Sequence, residues 1–167
     1  MIKLDKKGKL GLSLELILFI VINYVSMNFL LKDQFIKLLG NTLQDGIFGA
    51  VVILQIIFTL ISILFSAVLA KIILYLLFKV RISFALNLYM IFFGYIIVQI
   101  LFILLQYCLK QTFTNLGFAI IQSAVRNSIY GGILYKKEIL DKNKVAILIT
   151  SLFVIDILFV LFSKILG

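Results

Sequence analysis

The 167-residue sequence predicts an all-α integral membrane protein: a bundle of five transmembrane helices, N-terminus cytosolic and C-terminus outside. Three observations lead there. The chain is 63% hydrophobic and only 14% charged, whereas a soluble domain is about half apolar and about a quarter charged. Its apolar residues come in runs long enough to cross a hydrocarbon core ~30 Å thick. Its lysines and arginines cluster between those runs, where their distribution reports orientation.

The first span is expected at about 12–31. It follows the basic start MIKLDKKGK, and with no small-residue cleavage site behind the apolar run it reads as an uncleaved anchor. The connection KDQFIKLLGNTLQDG places Phe35, Leu38, Leu39 and Leu43 on one helical face. It is either a short helix on the outer interface or an ordinary polar link. The second span, about 47–78, would be about 48 Å long as one helix, so it must tilt or run past the interface. Lys71 falls where the excess begins and can extend its ammonium to the headgroups. A short basic turn, Lys79–Ser83, leads into the third span at about 84–109. The fourth, about 116–135, carries Arg126 at its middle beside Gln122 and Asn127. The fifth, about 145–163, carries Asp156. No polar tract is long enough for a second domain, so residues 1–167 read as one membrane domain.

The fourth span is the doubtful one, since a polar apolar-faced segment could also lie flat on the surface. Counting basic residues arbitrates. With five spans, one side holds Lys3, Lys6, Lys7, Lys9, Lys79, Arg81, Lys136, Lys137, Lys142 and Lys144. The other holds only Lys32, Lys37, Lys110 and Lys164. With four spans the two sides carry equal numbers and the bias vanishes. The basic-rich side faces the cytosol, against an anionic inner leaflet. That accounts for the net charge of +9 without nucleic acid.

A charge at a helix centre costs about 2.5–3.5 kcal/mol on insertion scales. Arg126 and Asp156 each sit roughly 14–17 Å from the loop that joins their helices. Consecutive helices on a short loop are usually neighbours. Asp156 is therefore the expected acceptor for Arg126, in an intramembrane ion pair that either fixes packing or belongs to a relay or substrate site. Glu15 and Lys71 lie at comparable depth and form a second possible pair, near the interface. Gln55, Thr59, Ser62, Ser66 and Ala70 make a stripe of small and polar residues on span two, expected to pack helix on helix, with a dimer face or polar path as alternatives. Gly94 and the residues Tyr95, Gln99 and Gln106 mark span three.

Enzyme signatures are missing. The sequence has no His and one cysteine, Cys108, so it lacks the usual ligands of a metal centre or haem and implies no cofactor. It has no nucleophile–base set and no Gly-rich phosphate loop. The absence of Trp, Pro and His, with abundant Lys, Ile, Phe and Asn, is the bias of AT-rich coding sequence, which places the expected location in a bacterial plasma membrane.

Two stretches resemble the Ypt-interacting-protein (Yip) family of five-span membrane proteins. AKIILYLLFKVRISFALNLYMIFFGYIIVQILF is similar to that family's core hairpin: an apolar helix, a basic turn, a Phe, and a helix with a Gly-Tyr pair. GGILYKKEILDKNKVAILITSLFVI resembles its close, with Lys144, Val145 and Ala146 opening the last span. The likeness covers about residues 62–165. It implies a membrane-trafficking adaptor in eukaryotes and a membrane scaffold in bacteria, with other membrane proteins or a second copy as partners. An immunity or accessory protein guarding against a membrane-active peptide is the second class, and a transport subunit using the Arg126–Asp156 pair is the third.

Overall fold

A computed structural model describes residues 2–27, 45–109 and 116–166. They form an all-α bundle: α1 (Lys6–Ser26), α2 (Asp45–Phe78), α3 (Phe84–Leu109), α4 (Leu116–Lys136) and α5 (Lys142–Leu166). The possible interfacial helix around Phe35, Leu38, Leu39 and Leu43 lies outside the described residues.

Three helices, Lys6–Ser26, Phe48–Phe78 and Phe84–Leu109, are long and apolar enough to cross a membrane. Yet only 11%, 17% and 39% of the residues in their most apolar stretches are buried within the protein. Leu14, Ile17, Phe58, Ile61 and Leu104 all stand exposed. Apolar surface on this scale needs a nonaqueous neighbour, so the fold is that of a multi-span membrane protein.

The helix starts follow local rules. Asp5 caps α1 by accepting the Gly8 N–H at 2.7 Å, so the basic residues Lys6, Lys7 and Lys9 lie inside the helix, ahead of the expected start. Ser83 Oγ caps α3 through the Leu86 N–H at 3.2 Å, and Asp141 caps α5 through the Lys144 N–H at 3.0 Å. Two ends use left-handed residues, Lys79 after α2 (φ 57°) and Glu138 after α4 (φ 56°). At Lys79 the Val80 N–H returns to Leu74 O at 3.2 Å, which closes the helix end tightly.

α3 is the central element. It packs against α1, α2 and α4, and its buried face runs from Leu86 to Phe102. Contact registers fix directions. Gly11 meets Tyr89, Phe19 meets Phe92 and Asn23 meets Gln99, so α1 and α3 run parallel. Phe102 meets Phe118 and Asn87 meets Tyr130, so α4 runs antiparallel to α3. α2 and α5 are likewise antiparallel to α3 and α4 respectively. All five helices thus alternate in direction.

One end gathers the turns. The Ile2 N–H donates to Arg81 O at 3.0 Å and the Ser83 N–H to Ile2 O at 2.8 Å, so the tail pairs with the α2–α3 turn. The tail and the α4–α5 turn together line a groove that includes Lys3, Leu86, Lys137 and Ile139. The basic residues of the tail, of Lys79–Arg81 and of 136–144 therefore share this end.

Gly131 sets the distance between α4 and α5. A Cβ there would lie 2.6 Å from Ile149 Cδ1, 2.7 Å from Ile149 Cγ1 and 3.1 Å from Val145 Cγ1, whereas at Gly132 it would meet nothing within 4 Å. Gly131→Ala should lower stability by ~1–3 kcal/mol through overpacking. Gly132→Ala should be neutral or stabilising by up to ~1 kcal/mol, from helix propensity alone. Thermal unfolding of the detergent-solubilised variants checks this, and equal losses at both positions would contradict the assigned α4–α5 face.

Candidate functional site

α4 presents Ser123, Arg126 and Asn127 on one face, because positions three and four apart stack on a helix. That face meets Asp156 of α5. Arg126 Nη2 lies 2.6 Å from Asp156 Oδ2, and Asn127 Nδ2 donates to the same oxygen at 2.9 Å. Ser123 Oγ donates to it as well and accepts from Asn127 Nδ2 at 3.3 Å. One carboxylate oxygen thus collects three donors from a single helix. The pair is mostly enclosed, at 16% and 22% side-chain exposure. Behind it, the guanidinium carbon of Arg126 sits 4.5 Å from the centroid of the Tyr95 ring on α3, a cation–π contact. Gly94 faces α4 here, and a Cβ there would make ordinary contact with Arg126 O at 3.4 Å.

The pair borders a cleft of about 510 Å³ between α2, α4 and α5. Ser62 and Ser66 of α2 face Gln122, Arg126 and Asp156 of the opposite wall. Phe58, Ile61, Phe65 and Phe159 form an apolar rim. Phe65 and Phe159 touch edge to face, ring centroids 5.5 Å apart, and join α2 to α5 beside the opening. Below the pair, toward the basic end, Ala70, Ile91, Tyr130 and Leu152 close the floor.

Two further polar ties hold α3 in place. Asn23 and Gln99 exchange amide hydrogen bonds at 3.1 and 2.9 Å, linking α1 to α3. Asn87, fully buried, donates to Ala67 O of α2 and accepts from the Tyr130 hydroxyl of α4.

Other expected arrangements differ. No ion pair joins Glu15 to Lys71. α1 turns Gly11, Glu15, Phe19 and Asn23 toward α3, and Glu15 Oε2 is buried there without a hydrogen-bond partner. Matched depth does not make neighbours of helices that barely touch. The stripe Gln55, Thr59, Ser62, Ser66 and Ala70 is not the packing face of α2. Only Ala70 is buried, while Gln55 and Ser62 are exposed. The Thr59 and Ser66 hydroxyls donate to Gln55 O and Ser62 O of their own helix, at 2.8 and 2.9 Å, so they link no second helix. The face that packs is Phe48, Val52, Ile63, Ala67, Ala70 and Leu74. Among the described residues, no group of three or more His, Cys, Asp or Glu is placed to hold a metal ion.

Ser123, Asn127 and Tyr95 are members of the site that sequence reasoning did not assign to it. The 123/126/127 spacing was the available signal for the first two.

Removing Arg126 alone strands Asp156, and removing Asp156 strands Arg126, so either change should cost ~3–5 kcal/mol, as for a broken buried pair in soluble proteins. The double variant Arg126→Leu with Asp156→Leu should lose less than either single change. Membrane abundance and thermal unfolding in detergent measure the cycle. Additive losses without rescue would mean that the two charges are not energetically coupled.

No protein-family model matches the chain, and no curated protein or solved structure matches it.

Proposed function

We propose that this chain is a five-span, non-enzymatic membrane scaffold or adaptor of Yip-like architecture, with its N-terminus in the cytosol and its C-terminus outside. The observation that carries the reading is the gathering of the basic tail, the Lys79–Arg81 turn and residues 136–144 at one end of helices that alternate in direction. Positive residues in short loops are retained on the cytosolic side, where they meet anionic lipid. α4 and α5, at 21 and 25 residues, have the length to cross. Their polar residues, Ser123, Arg126, Asn127 and Asp156, hydrogen-bond to one another and pair the two charges, which lowers the cost of placing them in hydrocarbon.

The basic end is also the recognition surface of this scaffold. It combines exposed lysines with a groove floored by Leu86 and Ile139. At Asp141, the exposed carboxyl is held below its usual range by hydrogen bonds from Lys144, so the α5 cap stays ionised to lower pH than a free aspartate would. A second reading, a transport subunit, is favoured by one observation: the Arg126–Asp156 pair lines a cleft rather than a closed core. Substrate-dependent flux in proteoliposomes would select it over the scaffold.

The topology is tested with single cysteines in a Cys108→Ser background and a membrane-impermeant maleimide. Asn143→Cys should stay unlabelled in intact cells and react after permeabilisation, whereas Gly167→Cys should react in intact cells. External labelling at position 143 overturns the five-span arrangement.

A further inference from the structure

The two charges in the cleft are not equally satisfied. Asp156 Oδ2 accepts three hydrogen bonds, from Ser123, Arg126 and Asn127. Arg126 donates one. A guanidinium carries five N–H groups, so four have no acceptor among the described residues. The Gln122 amide and the Ser62 hydroxyl, which line the same cleft, also have no hydrogen-bond partner among the described residues. The amide and the hydroxyl can each donate or accept, and Asp156 Oδ1 accepts no hydrogen bond among the described residues, so the groups that can only donate are the four open N–H groups of Arg126. None of these N–H groups is sealed away, since the buried side-chain atom without a partner among the described residues is Glu15 Oε2, so an oxyanion entering the cleft can accept from them.

We propose that the cleft between α2, α4 and α5 binds a monoanionic amphiphile, an oxyanion headgroup on an acyl chain, with Arg126 as the headgroup's partner. This rests on the reading that α4 and α5 lie within the bilayer. Three features select the ligand. The open N–H groups of Arg126, with Gln122 and Ser62, match the oxygens of a carboxylate or phosphodiester. The Arg126–Asp156 pair is neutral overall, so the headgroup is held by hydrogen bonds and not by surplus charge. That disfavours a dianion such as a phosphate monoester. The rim of Phe58, Ile61, Phe65 and Phe159 offers an acyl chain apolar walls, which a free inorganic anion would not use. The volume of about 510 Å³ falls within the range of small-molecule sites. Phe65 and Phe159 are both exposed and touch at the rim, so an acyl chain lying in the cleft would pack against them.

The two sources of such a headgroup, a fatty acid and a phospholipid, are separated by two photoreactive probes: a diazirine-bearing palmitate and a diazirine-bearing phosphatidylglycerol. Each is added to the full-length protein in detergent, and cross-linked peptides are mapped by mass spectrometry. The expected result is saturable labelling of α2 around Phe58–Phe65 and of α5 near Phe159. It should be competed by the unlabelled form of whichever probe binds, and not by inorganic phosphate. Because Arg126→Gln alone strands Asp156 and threatens folding, the charge is tested in the double variant Arg126→Gln with Asp156→Asn. Apparent affinity should fall about tenfold, the effect of one charge-assisted hydrogen bond. Ser62→Trp fills the cleft without touching the ion pair and should abolish saturable labelling while leaving the unfolding temperature near that of the native protein. Labelling spread evenly over the outer helix surfaces, or saturable labelling unchanged by the double variant or by Ser62→Trp, overturns the proposal. These measurements do not depend on which end faces the cytosol, so a failed topology and a failed ligand site give different results.

Discussion

Everything in this bundle is arranged around Asn87. Its amide donates to the backbone of α2 and accepts from Tyr130 of α4, with no access to solvent. In water, helices are driven together by hiding apolar surface. In lipid that drive is absent, because a leucine is as well solvated by an acyl chain as by another leucine. Close packing and polar ties must then specify which helices meet. Asn87 supplies such a tie in two directions from α3, and the Asn23–Gln99 exchange supplies a third toward α1. The small buried residues Ala67 and Ala70 of α2 suit the close approach these bonds need.

The Asp156 cluster extends the same logic to α5. Here the tie runs only between α4 and α5, with Tyr95 behind it, and leaves α2 apart on the other side of the cleft. The bundle is thus tight around α3 and between α4 and α5, and open between α2 and α5. Near the basic end Ala70, Leu152 and Tyr130 close the gap, and further along the helices it widens. A polar cluster that would serve only as glue inside a closed core acquires access to small molecules because of this asymmetry.

Much of the architecture was legible in the sequence. Long apolar runs without proline make helices, and the Lys79–Arg81 turn marks a hairpin. The loop-to-residue distances put Arg126 and Asp156 at one level, and their atoms are 2.6 Å apart. What was not legible was angular. Ser62 and Ser66 sit about one residue off the packing face of α2, a rotation of roughly 100°. Polarity does not reveal it, because a hydroxyl on a helix can satisfy itself on the preceding turn. Glu15 and Lys71 failed to meet for a different reason. Consecutive helices are usually neighbours, but α1 takes α3 as its partner and runs parallel to it, past α2. Asn87 and Tyr130 carried no signal at all, since forty-three residues separate them and neither is unusual in its own segment.

That parallel pairing of α1 with α3 has a consequence for biogenesis. A chain made from its N-terminus delivers α1 to the membrane first, and α2 next, yet α1's main partner arrives only when residues 84–109 have been synthesised. Until then Glu15 and Asn23 have no protein surface to cover them, and Ile2 has no Arg81 or Ser83 to pair with. The early intermediate is therefore a lone helix with a carboxyl and an amide facing lipid, the kind of species that stays close to the insertion machinery or is cleared. Arrival of α3 covers the Glu15 and Asn23 face, and the turn ahead of it clasps the tail.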